Sequence, residues 1–259
     1  MNNTRMPMIC CILILLGVLA VFQGHSKVVR DSDAEEEQSQ IAEDYILENN
    51  AEYELDRYEG TISNTMLGSE AQMLEVYEEV IRTHVAINAD IYRGEGSIYR
   101  IEEDGIYIVS AKHLLQYAQE VSVTFDDGST SVGQVVYLSE QYDFGFVKVE
   151  LSDVEGLELQ AVTIPEANFV TYGTYLVIAS KKIPEEMDLL VCTVLDPSLF
   201  FPEFNSFLIH QYATVEPGMS GSGVFDETGA YVGMLVGGYE MESASLSYEY
   251  IEVEYIEYY

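Results

Sequence analysis

The chain has 259 residues, 48% of them hydrophobic, and a formal net charge of −34 from 45 acids against 11 bases. That length and apolar content allow one large or two modest domains with a real core, while the charge argues against nucleic acid or an anionic lipid surface as partner, both being polyanions held through lysine and arginine. Three cysteines, Cys10, Cys11 and Cys192, exclude a disulfide framework, no spaced Cys/His set points to zinc, and no cofactor is called for.

Met6 to Phe22 is apolar apart from one glycine and one proline, with Arg5 before it and Gln23, His25, Lys27 and Arg30 after it. Such a run is at the low end of a membrane span, for which about 17 to 25 residues are needed, and is longer than a secretory core of about 7 to 15. It ends in Val-Phe-Gln-Gly rather than in small residues. Residues 1–24 are therefore expected to be a signal anchor with the remainder outside the cytoplasm, or a signal peptide if cleavage occurs. Residues 25–68 read as a solvated acidic spacer: Asp31 to Glu59 holds twelve acids and one base, Arg57.

The expected domain is 69–259. Ser69-Glu70-Ala71-Gln72 has the form of a capping box, and Met73, Tyr77, Val80, Ile81 and His84 follow at helical spacing, which predicts a helix of about three turns. From Val85 the period becomes strand-like. Ser97–Ile101 and Ile106–Val109 read as one hairpin, and Val121–Phe125 with Val132–Leu138 as another. Phe146–Val149, Val170–Ile178, Leu189–Val194 and Phe207–Ala213 continue the series, with Cys192 as a small core residue. Twenty tyrosines without a tryptophan suggest many half-exposed strand positions. Short strands with almost no helix between them describe an all-β antiparallel barrel or sandwich. The closing Tyr-Glu-Tyr-Ile-Glu-Val-Glu-Tyr-Ile-Glu-Tyr-Tyr alternates, and reads as a last strand with an acidic face.

Pro217-Gly218-Met219-Ser220-Gly221-Ser222-Gly223 sets one serine among glycines, and the hairpin after it runs through Val224–Asp226 to Tyr231–Val236. Glycine is chosen where the backbone takes positive φ or presents N–H groups closely. Ser220 is either a turn residue or a nucleophile whose loop donates to an oxyanion, and the second reading needs a histidine and an acid elsewhere. His113 stands at the end of the Ile108–Ala111 strand, where a side chain projects into a cleft. His210, on the strand entering the serine loop, is the competing base. Asp143, just before an apolar strand, either ends a turn or holds a histidine's second nitrogen.

With these residues in view, V-S-A-K-H at His113, D-F-G-F-V-K-V at Asp143 and P-G-M-S-G-S-G-V-F-D at Ser220 resemble, in that order, the histidine, aspartate and serine motifs of trypsin-like serine proteases. G-E-G-S-I-Y-R-I-E-E-D-G-I-Y-I-V resembles the matching strands of the bacterial Deg-type branch, and the likeness runs from about Val80 to Val253. The resemblance implies two antiparallel six-stranded β-barrels after the short helix, a serine endopeptidase acting on polypeptides, and a triad of His113, Asp143 and Ser220 with the N–H groups of Gly218 and Ser220 as oxyanion hole. It also implies a primary specificity pocket formed by Thr214, Leu235, Val236, Gly237 and Gly238, without an acid at its base, which suits a small or aliphatic residue. Met219 stands where the digestive branch has an aspartate, so activation through a newly made N-terminus is not expected. Gly223 replaces the usual proline, and no PDZ module is expected to follow. A non-catalytic extracellular binding protein on the same fold is the alternative, against which the complete His113, Asp143 and Ser220 set speaks.

Overall fold

The computed structural model describes residues 66–167, 170–182, 189–239 and 241–258. The apolar run of residues 6–22 and the acidic spacer before residue 66 lie outside the described residues. No described helix is long and apolar enough to cross a membrane.

Twelve strands close into two barrels. In the first, β1 (His84–Ala89), β2 (Tyr92–Glu102), β3 (Gly105–Ser110), β4 (Glu120–Thr124), β5 (Thr130–Leu138) and β6 (Gly145–Val149) are ordered β1-β2-β3-β6-β5-β4. In the second, β7 (Tyr175–Ala179), β8 (Leu190–Phe201), β9 (Ser206–Tyr212), β10 (Gly223–Phe225), β11 (Tyr231–Tyr239) and β12 (Glu242–Ser247) are ordered β10-β11-β12-β9-β8-β7. Every strand pair within them is antiparallel. Closure leaves no free sheet edge, which suits short strands.

Period-two alternation explains where the side chains go. On β4, Val121 and Val123 enter the first barrel with Ile87, Ile98, Ile106, Ile108 and Val147, while Ser122 and Thr124 are half-buried. On β7, Leu176 and Ile178 fill the second barrel with Cys192, Ile209 and Val224. The alternate residues Val177 and Ala179 face a third cluster that joins the two barrels. There Tyr99, Tyr107, Phe144 and Phe146 of the first barrel side meet Phe225, Tyr231, Met234 and Leu246 of the second. The rings sit at favourable offset or edge geometry, Tyr99 at 5.6 Å from Phe146 and 6.0 Å from Tyr231. Each such pair adds about 0.5–1.5 kcal/mol beyond the area it buries. Burial of tyrosine at this joint exceeds the half-exposed expectation, since Tyr99, Tyr107 and Tyr231 are all at or below 2% exposure. The hydroxyls of Tyr99 and Tyr107 are satisfied by Glu252 and Asp104.

Helices cover the joint. α1 (Met66–Val80) contributes Met73, Val76 and Val80, and begins three residues ahead of the expected cap. A 3₁₀ turn over Ile81–Thr83 follows, so His84 opens β1 rather than ending the helix. A second, four-residue helix, α2 (Lys112–Leu115), follows β3. The expected final strand is instead the helix α3 (Tyr248–Tyr258). Its buried residues, Tyr248, Ile251 and Tyr255, recur at spacings of three and four, a helical stripe hidden inside the Tyr/Glu alternation. Glutamate is also a better helix than strand former. Glu252 of α3 takes Arg100 through two 2.7 Å bonds, and Glu254 accepts Tyr137 Oη at 2.7 Å.

Candidate active site

Register places the acid and base. β3 and β6 pair with Ser110 opposite Gly145, so residues just after Ser110 and just before Gly145 share one rim of the first barrel. His113 lies three positions beyond the first and Asp143 two positions before the second. Asp143 receives both donors that His113 can turn towards it: His113 N–H to Oδ1 at 2.9 Å and His113 Nδ1 against Oδ2 at 2.7 Å. The turn carrying Asp143 is itself fixed, because Ser139 Oγ accepts Tyr142 N–H at 2.9 Å and Ser139 N–H donates to Phe144 O at 3.0 Å. Lys112 turns its ammonium to Ser139 O and so braces the His113 turn against the same loop.

Burial of the imidazole opposes protonation, yet the hydrogen bond and charge of Asp143 outweigh it and hold His113 above the ordinary histidine range. The Asp143 side chain is 16% exposed and that of His113 35%, so Nδ1 is enclosed while the ring keeps access to the cleft. His210 does not compete for this place: its Nε2 sits 3.0 Å from Glu242 Oε2 and its ring rests on Phe201.

Ser220 lies on the second barrel, in the loop between β9 and β10. Gly218 and Gly221 hold φ of +92° and +96°, the left-handed region that only glycine enters without strain. Gly221 N–H donates to Leu235 O at 2.8 Å, and Ser222 N–H to Met219 O at 3.0 Å. Among the described residues the N–H groups of Gly218 and Ser220 have no protein acceptor, which leaves both for an incoming oxygen. A side chain at Gly218 would collide with Lys182 Nζ, so an ammonium stands beside these donors. The serine loop and the His113 turn converge on Gly94, where a Cβ would lie 2.6 Å from Leu114 Cδ2 and 2.9 Å from Ser220 O. Ser220 Oγ itself is 3.5 Å from Val236 O; the structure brings His113 and Asp143 together and does not hydrogen-bond Ser220 to His113.

Of the expected pocket residues, Leu235 packs in the second barrel's core and Val236 in the cluster between barrels, so neither side chain lines a pocket, and the Leu235 N–H and C=O are both bonded to the serine loop. A break in the β11–β12 register between Leu235 and Gly237 leaves Val236 without a partner on β12. Thr214 and Gly238 are exposed and Gly237 half-buried; the space beside Gly237 is open, with Phe204 Cζ at 3.9 Å from a Cβ built there. Motif reasoning missed Glu95 and His84, both 2% exposed, beneath the serine loop. The signal was an acid between two glycines, Gly94 and Gly96, leading into the Ser97–Ile101 strand, where an unpaired buried charge would be costly.

Comparison with known proteins bears on the fold and the family. Pro-apoptotic serine protease NMA111 of Scheffersomyces stipitis is 27% identical over 124 residues, which spans 45% of this chain and 12% of that protein. The solved structure of Deg5 superposes with a TM-score of 0.57 at 20% identity, covering 73% of this chain and 95% of that one. The inactive form of Rv3671c from M. tuberculosis H37Rv gives 0.56 at 15% identity, over 70% of this chain and 89% of that one. A serine endoprotease from Yersinia pestis gives 0.56 at 15%, over 71% and 65%. Residues 94–234, more than half of the sequence, match the trypsin-like peptidase domain family, and the chain belongs to that family.

Proposed function

We propose that this trypsin-like peptidase is a serine endopeptidase working through Ser220, His113 and Asp143. The observation that carries the reading is the two-point hold of Asp143 on His113, at 2.9 and 2.7 Å, on the rim that faces the serine loop. With Nδ1–H held by the carboxylate, Nε2 is the free acceptor of the imidazole. Ser220 Oγ attacks the scissile carbonyl carbon while Nε2 takes its proton. The carbonyl electrons move to the oxygen, which Gly218 N–H and Ser220 N–H receive. The tetrahedral species collapses to an ester on Ser220 as Nε2 returns the proton to the leaving amine. Water, deprotonated by the same nitrogen, then releases the acid and restores Ser220.

Treatment with a fluorophosphonate probe tests the assignment. The parent is expected to be labelled and to hydrolyse casein, and Ser220→Ala to do neither; undiminished labelling of that variant would remove Ser220 from the role. A second reading, a non-catalytic binding protein on this fold, is favoured by one observation, the direction of Ser220 Oγ towards Val236 O. An unlabelled, inactive parent would select it.

An extracytoplasmic site of action, tethered through residues 1–24, belongs to the same proposal. Its support is the apolar run of residues 6–22 followed by a long acidic stretch. Recovery of a mature protein starting near His25 would replace the tether by secretion.

A further inference from the structure

Glu95 is a buried acid for which the proposed chemistry has no use. Its Oε2 lies 2.5 Å from Ser222 Oγ, whose one proton it shares with Met219 O at 2.6 Å, and its Oε1 lies 3.3 Å from His84 Nε2. Its N–H donates to Ser220 O at 2.9 Å. Its carbonyl oxygen takes Ser110 Oγ–H at 2.6 Å and occupies the space that a side chain at Gly221 would need. One residue of the first barrel thus holds Ser220 and Ser222 of the nucleophile loop on the second and fills the space over Gly221 between them. Burial alone would raise the Glu95 carboxyl pKa; the contacts of His84, Ser222 and Ser180 prevail and hold it below the usual range.

As a stabilising device this arrangement is poor. His84 is as buried as Glu95, and neither its Nδ1 nor its Nε2 makes a hydrogen bond of good geometry among the described residues. Each orphaned buried polar atom costs about 1–3 kcal/mol, and burying a carboxylate beside an imidazole adds a desolvation cost that apolar side chains would not carry. His84 and Glu95 are diagonal neighbours on one face of the β1–β2 pair, where Ala86 is opposite Glu95, and that location would accept two aliphatic residues. What an aliphatic pair could not do is offer Ser222 Oγ–H an acceptor on the first barrel; within its own loop the same proton has Met219 O at 2.6 Å.

We propose that Glu95, with His84 as its buried counter-group, is a positioning residue that fixes the Ser220 loop against the barrel carrying His113, a role that rests on Ser220 being the nucleophile. Glu95 touches neither substrate nor reacting atoms. It acts through Ser222 and through the main chain of Ser220. Because its two grips fall on either side of Gly221, they set the pitch of the loop that aims Ser220.

The test uses the full chain with Glu95→Gln, Ser222→Ala and the two combined. Readouts are the fluorophosphonate labelling rate, kcat and KM on a peptide substrate, and hydrogen exchange of the Gly221 and Ser222 amides. Each single change is expected to slow labelling and lower kcat roughly ten- to a hundredfold with KM unchanged, as loss of a charge-assisted hydrogen bond implies. The double variant should be no slower than the slower single, since both changes remove one bond. Gly221 and Ser222 should exchange faster while amides of the β3–β6 ladder keep their rates. Additive losses, a rise in KM alone, or unchanged loop exchange would overturn the proposal. If the parent is not labelled but loop exchange responds as stated, the hold of Glu95 on the loop stands and the nucleophile assignment falls. Should Glu95→Gln not fold, Ser222→Ala decides by the same exchange and kcat readouts.

Discussion

Replacing Asp143 by asparagine changes one atom and sets a problem the side chain cannot solve. His113 presents two donors to Asp143, its N–H to Oδ1 at 2.9 Å and Nδ1–H to Oδ2 at 2.7 Å, and a carboxylate accepts both. An amide has one acceptor. If its oxygen serves Nδ1–H, its NH₂ faces the His113 N–H, donor against donor. If it flips, NH₂ donates to Nδ1 and the imidazole proton moves to Nε2, the nitrogen that must accept from Ser220. Loss of kcat/KM on the order of 10³–10⁴ is therefore expected, through the wrong tautomer rather than through unfolding. Because the His113 side chain is 35% exposed, the stability cost is discounted for solvent to about 1 kcal/mol, or roughly 2–4 °C in Tm for a domain of this size. Peptide hydrolysis against pH, with thermal unfolding alongside, checks both. In the parent, Asp143 holds the folded His113 pKa above 6.5, so the rising limb of kcat/KM should lie above that pH and move down in the variant. The sign for stability is opposite: the pair's contribution is full below the unfolded pKa of about 6.5 and is lost as pH rises through the folded value. Asp143→Asn retaining kcat/KM within tenfold of the parent would refute the reasoning.

Gly221→Ala meets positive φ at +96° and a clash with Glu95 O at once. Left-handed strain of about 1–2 kcal/mol and a displaced buried hydrogen bond of about 1–3 kcal/mol predict a loss near 3 kcal/mol, or roughly 6–12 °C in Tm; calorimetry placing it within about 2 °C of the parent would refute this. A peptide-library digest should show cleavage after small or aliphatic residues, because Leu235 and Val236 are committed to cores and the wall near Gly237 is open. Cleavage after lysine or arginine would refute that pocket.

Strand alternation made an antiparallel barrel or sandwich legible from the residues, and the family resemblance carried by three short motifs supplied the two barrels and the pairing of His113 with Asp143. Both are local signals: each hairpin is contiguous, and each motif sits at a strand end. What remained hidden depended on register or on a competing period. His84 and Glu95 are eleven positions apart and meet only because β1 and β2 pair with Ala86 opposite Glu95, a register that alternation does not specify. In α3 the Tyr/Glu alternation fits a strand as well as a helix, and only burial of Tyr248, Ile251 and Tyr255 against the joint selects the helix. Burial of Tyr99 was illegible for the same reason, since its hydroxyl partner Glu252 comes from a helix 153 positions on.

The joint between the barrels also fixes an order of events during synthesis. Strands β1 to β6 and β7 to β12 are each contiguous in the chain, so either barrel can close from its own hairpins as it emerges, N-terminal first. His113 and Asp143 belong to the early half, whereas Ser220 belongs to the late one. The seal that holds the halves in register includes Ile251 and Tyr255, which leave the ribosome after every residue of the candidate site. A nascent chain therefore carries the His113–Asp143 pair long before it has Ser220, and has all three before their relative position is locked. The alignment of the candidate site is the last feature this fold acquires.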